Sequence, residues 1–67
     1  MKNMRFEAIP GGEVFLTRNG GTFVKLSEAA KVSLKGPYNA VDKEGRLACF
    51  MQYEEVSLVG PFYKEKK

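Results

Sequence analysis

Residues 9–27 read IPGGEVFLTRNGGTFVKLS, a stretch with two diglycines, Gly11-Gly12 and Gly20-Gly21. Glycine pairs either cradle a phosphate or turn a strand back on itself. A phosphate loop needs a lysine followed by Ser or Thr at the start of a helix directly after its glycines. The residues after Gly12 and Gly21 are EVFLT and TFVKL, which are strand-like and hold no such pair. A dinucleotide fingerprint fails for want of a βαβ unit. Asn19-Gly20 instead sits between two apolar runs. Asn and Gly both tolerate the positive φ that a two-residue hairpin turn demands, so this pair predicts a hairpin. Gly11-Gly12 follows Pro10 and reads as a loop between strands.

Working outward, the dominant period is two, which argues for strands. MRFEAI (4–9) puts Met4, Phe6 and Ala8 on one side and Arg5 and Glu7 on the other. EVFLT (13–17) sets Val14 and Leu16 against Phe15. TFVKL (22–26) sets Thr22, Val24 and Leu26 against Phe23 and Lys25. SEAA (27–30) reads as one helical turn capped by Ser27, or as a bend. KVSL (31–34) alternates again. YNAVD (38–42) and RLACFM (46–51) flank DKEG, whose Asp and Gly suit a type I turn followed by a left-handed residue, a second hairpin. QYEE (52–55) reads as a tight turn or one turn of 3₁₀ helix. VSLV (56–59) is a last strand, ended by Gly60-Pro61.

Many short strands in so short a chain predict an all-β fold, with a bent sheet that buries one face of every strand. The order of loop, hairpin, hairpin, one-turn break and short last strand is similar to a small, strongly bent SH3-like barrel of five to seven short antiparallel strands. Residues 1–63 form this single domain, and KEKK (64–67) a charged tail. The expected inward set is Phe6, Val14 or Phe15, Val24, Leu26, Val32, Leu34, Leu47, Cys49, Val56 and Leu58.

Composition narrows the chemistry. The chain has 67 residues, no histidine, one cysteine and a net charge of +3. A domain of this size buries roughly 60% of its unfolded surface and folds with little margin. Without histidine it lacks the commonest general base and transition-metal ligand. One cysteine makes neither an internal disulfide nor a zinc site. Cys49, inside LACFM, reads as a buried thiol. Glu54 and Glu55 point to opposite faces and form no acid–base pair. No catalytic, cofactor-binding or metal-binding residues are expected. Nor does any run approach the roughly 20 apolar residues of a membrane span. The start carries no signal-peptide pattern, and the expected compartment is cytoplasm. Much of the positive charge lies in KEKK; residues 1–63 hold eight Lys/Arg against seven Asp/Glu.

The residues Pro10, Gly12, Glu13, Phe15, Gly21, Phe23, Val24, Lys25, Ser27 and Val56 carry a resemblance to small proteins encoded by tailed bacteriophages. It covers most of the chain and departs at KGPYNAVDKEG (35–45). The resemblance implies a phage accessory protein working in host cytoplasm, where it binds a host protein and modulates or inhibits it. It carries over no site residues.

A small barrel without catalytic groups acts by presenting loops and a curved face. Candidate protein-binding residues are Tyr38, Tyr53, Phe62 and Tyr63, since aromatics near loops are favoured interface anchors. Against this, Tyr38 and Tyr53 would also serve to cap the barrel ends, and Phe62-Tyr63 to fold over an open end. A nucleic-acid alternative would use Lys31, Lys35, Lys43 and Arg46, with Tyr38 stacking a base. Asp42, Glu44, Glu54 and Glu55 are interleaved with those cations. A third alternative is a homodimer or minor virion component, paired through an exposed strand edge.

Overall fold

The computed structural model describes residues 2–32 and 36–61. Six strands form among them: β1 (Lys2–Arg5), β2 (Glu13–Leu16), β3 (Thr22–Lys25), β4 (Ala40–Asp42), β5 (Leu47–Ala48) and β6 (Glu55–Pro61). A 3₁₀ turn (Phe6–Ala8) follows β1, and helix α1 (Glu28–Val32) follows β3. All the pairings are antiparallel, in the order β1-β6-β2-β3-β4-β5. The fold is all-β, as expected, but the sheet is open: hydrogen bonding does not close it into a barrel.

Bending comes from β6 and from the core. β6 pairs with β1 through residues 55–58 and with β2 through residues 57–61. Its register on β2 jumps between Val14↔Gly60 and Phe15↔Leu58, leaving Val59 as the extra residue of a bulge. Gly60 takes a φ of 147°, which a side chain resists. At the two ends of the sheet, Phe6 directly follows β1 and Phe50 lies just beyond β5. Their rings stack at 5.4 Å. The sheet therefore curls enough to bring the residues just past its two edge strands, Phe6 and Phe50, into ring contact, while β1 and β5 themselves do not pair.

Phe6, Ile9, Phe15, Ala40 and Val56 form the buried core, with Met4, Phe23, Phe50 and Leu58 packed against it. Phe15 makes edge-on contacts to Phe6 at 5.4 Å and to Phe50 at 5.3 Å. Each such pair contributes about 0.5–1.5 kcal/mol beyond area burial.

Several expectations need correction. MRFEAI is not one strand, because the 3₁₀ bond from the Ile9 N–H to the Phe6 carbonyl (3.0 Å) breaks the period of two. A turn of three residues places Phe6 and Ile9 on one side, so Ile9 is buried and Ala8 exposed. KVSL does not start a strand: Lys31 and Val32 belong to α1, while residues 33–35 lie outside the described set. The Ser27 hydroxyl caps this helix by accepting the Ala30 N–H at 3.2 Å, and local capping outweighs the alternation.

In TFVKL it is Phe23 that packs against the core, its ring stacked on Phe15 at 6.0 Å, whereas Val24 and Leu26, half-buried like Phe23, do not join it. Of Val14 and Phe15, it is Phe15 that is fully buried. Leu47 is exposed because its register partner Val41 faces away from the core. Cys49 is exposed too. The Val32 side chain and Leu34 lie outside the description.

Candidate binding groove

Two turns frame a groove of about 470 Å³ at one end of the curled sheet. The first joins β2 to β3. Gly20 N–H donates to the Thr17 carbonyl at 3.0 Å, and Thr17 N–H to the Gly21 carbonyl at 2.8 Å. The Thr17 hydroxyl accepts the Gly21 N–H at 2.8 Å and donates to Asn19 Oδ1. Gly20 alone among the central residues is left-handed, at φ 93°. This hairpin is therefore a turn closed by a left-handed glycine, not the two-residue turn expected, because the Thr17 side chain fastens a longer loop.

The second turn is Met51–Glu54. Glu54 N–H donates to the Met51 carbonyl at 3.1 Å, and the Glu54 carboxylate accepts the Met51 N–H at 3.0 Å. Its approach is fixed by Asn39. The Asn39 amide donates to the Phe50 carbonyl at 2.9 Å, while Asn39 Oδ1 accepts the Phe50 N–H at 2.8 Å.

Between the turns, Phe23, Phe50 and Val56 form the floor. Arg18 and Asn19 line the groove from the first turn, and Glu54 and Glu55 from the second turn and the start of β6. Arg18, Glu54 and Glu55 form no ion pair among the described residues, so unpaired charges of both signs border an aromatic floor. A second, more apolar groove of about 600 Å³ runs over Val14, Val24 and Val41 on the outer face of the sheet.

Tyr53 belongs to the Met51–Glu54 turn and is 66% exposed. Tyr38 precedes β4, is 37% exposed, and does not line the groove. Phe62, Tyr63 and Lys35 lie outside the described residues.

The remaining cations are dispersed or paired. Lys31 sits on α1, 3.4 Å from Glu28. Lys43 and Arg46 share the β4–β5 turn, which has the expected form, with Gly45 N–H bonded to the Asp42 carbonyl at 3.0 Å and Gly45 at φ 86°. Arg46 binds Asp42 and Glu44, each at 2.9 Å. Asp42 also accepts the N–H groups of Glu44 at 2.9 Å and Arg46 at 2.8 Å. These bonds, the Arg46 backbone N–H foremost, hold the Asp42 carboxyl below its usual range.

Sequence reasoning missed Arg18, Asn39 and Lys25. Lys25 turns inward: Nζ donates to the Phe6 carbonyl at 3.0 Å and lies 4.5 Å from the centre of the Phe6 ring. Burial, then the neighbouring Lys31 charge, lowers its pKa. The signal in the sequence was alternation, which puts Lys25 on the face of Phe23; the structure adds that its strand partner is the core residue Ala40. Among the described residues no group of three His, Cys, Asp or Glu side chains is placed to hold a metal, and no helix is long and apolar enough to cross a membrane. Compared with known proteins, the chain matches no family model, no curated protein and no solved structure.

Proposed function

We propose that the protein is a small non-catalytic binding module that recognises another protein through the groove between the Thr17–Gly21 and Met51–Glu54 turns. One observation carries this reading: the groove joins an aromatic floor, Phe23 and Phe50, to unpaired charges of both signs, Arg18 and Glu55. Apolar area at the centre with polar groups at the rim suits a protein surface. A phosphate backbone would require converging cations, and Glu54 and Glu55 oppose that here. Exposed Tyr53 extends the same rim and is a candidate anchor.

The finer reading of the fold as an SH3-like barrel is supported by β6 returning between β1 and β2 and by the Phe6–Phe50 stack joining the sheet ends. The bacteriophage resemblance extends the proposal to its setting: an accessory protein in host cytoplasm whose partner is a host protein.

The test is to pass bacterial lysate over the immobilised protein, with and without nuclease, alongside the variants Arg18→Glu and Glu55→Lys. A single stoichiometric protein should stay bound after nuclease and be lost from at least one variant. Retention that vanishes with nuclease or moderate salt would replace this reading with a nucleic-acid one. Equal retention by both variants would move the site away from the groove.

A further inference from the structure

The edge strand β1 offers a second surface. Its register on β6 runs from Lys2↔Leu58 to Arg5↔Glu55 and continues to Phe6, whose N–H donates to the Glu54 carbonyl at 2.7 Å. In an antiparallel ladder the bonded pairs recur at every second residue. Lys2 and Met4 therefore spend their backbone groups on β6, and Asn3 and Arg5 turn their N–H and C=O groups outward. β1 ends the sheet, so no strand among the described residues lies against that edge.

The side chains set its preference. Met4 is half-buried against the core, whereas Lys2, Asn3 and Arg5 are exposed. Two cations thus flank the free ladder groups within four residues. Glu7 approaches Arg5 at 3.3 Å, but both side chains are well exposed and such a pair restrains little. Lysine and arginine on an edge discourage a second, equally basic copy and favour an oppositely charged strand.

We propose that the outer edge of β1 receives an extended acidic segment of a partner protein as an added strand, its backbone bonding Asn3 and Arg5 and its carboxylates, three residues apart, meeting Lys2 and Arg5. This edge is separate from the Phe23–Phe50 floor and does not need the groove to be occupied.

Two short synthetic peptides test this on the ¹⁵N-labelled protein. Both alternate threonine and valine; one carries two aspartates three residues apart, and the other carries lysines in their place. Saturating acidic peptide should slow hydrogen exchange of the Asn3 and Arg5 amides by about tenfold or more. The lysine peptide should leave them unchanged. Arg5 already has φ −74° and ψ 150°, values proline accepts, so Arg5→Pro deletes one outward donor while sparing the β6 ladder. It should keep its amide spectrum elsewhere and lose the slowing at Asn3. Arg5→Gln keeps the donor and should bind the acidic peptide more weakly. The inference is overturned if neither peptide slows exchange, if both do so equally, or if Arg5→Pro binds as well as the parent. Slowing without peptide that grows with protein concentration would overturn it in favour of a second copy.

Discussion

The Asn39 side chain grips the backbone of Phe50 from both sides, donating to its carbonyl at 2.9 Å and accepting from its N–H at 2.8 Å. A carboxamide is the smallest side chain that can mimic a strand neighbour in this way. The clamp extends the pairing of β4 and β5, since Asn39 N–H also donates to the Ala48 carbonyl at 2.9 Å. It delivers the Phe50 ring to the core and to the groove floor.

Removing the clamp with Asn39→Ala should cost about 2 kcal/mol, two net hydrogen bonds plus an unsatisfied Phe50 group. Asn39→Asp keeps the acceptor for the Phe50 N–H and sets a carboxylate against the carbonyl. Urea denaturation should show both variants less stable than the parent with unchanged slope. A loss below about 0.5 kcal/mol for Asn39→Ala would mean that the Phe rings, not the clamp, hold residue 50.

Phe15→Ala should cost about 3–5 kcal/mol, because Phe15 is fully buried and touches the rings of Phe6, Phe23 and Phe50. For a chain of this length that approaches the whole folding free energy. Near-ultraviolet circular dichroism should show the aromatic signal collapse; a retained cooperative transition near the parent midpoint would count against this core.

The two diglycines should respond to alanine for different reasons. A Cβ on Gly11 would meet the Ser27 Cα at 2.8 Å, a backbone atom that cannot step aside. Gly11→Ala should therefore cost about 1–3 kcal/mol through overpacking. Gly20 has open space around it but holds φ at 93°, so Gly20→Ala should cost about 1 kcal/mol through backbone strain alone. Thermal unfolding of the pair checks the ranking.

Acid should weaken the β4–β5 hairpin through Asp42. Its folded pKa lies below the ordinary 3.8, so the carboxylate stabilises the fold above pH 3.8 and loses that contribution as pH falls through the lowered value. Asp42→Asn should start less stable at neutral pH and show a shallower loss on acidification. Parallel stability curves for the two proteins would argue against the Asp42–Arg46 bond.

Lys25 titrates with the opposite charge and the same sign of slope. Its folded pKa lies below 10.5, so the unfolded chain binds more protons in between and stability rises with pH up to 10.5. Lys25→Met should abolish that rise while preserving the fold, a difference that denaturation at several alkaline pH values would reveal.

The turns and their glycines were legible in the chain as a string. Asn19-Gly20 marked a hairpin, and Asp42 with Gly45 marked both the place and the form of a second one, because such signals act within four or five residues. The all-β class followed from alternation for the same reason. Where a single local bond could break the alternation, reading the period failed: the 3₁₀ turn at Phe6 and the Ser27 cap each override it.

Inside and outside were a tertiary decision. Phe23 and Val24, or Leu47 and Ala48, look equally eligible for the core along the chain. Which one faces inward depends on the cross-strand partner and on the curl that brings Phe6 against Phe50, residues at opposite ends of the sheet. The groove has the same origin. Arg18 and Glu55 are far apart in sequence, and only the return of β6 beside β2 brings both to one aromatic floor. Burial and register are properties of the assembled sheet, because they depend on contacts that exist only once the strands have paired and the sheet has curled.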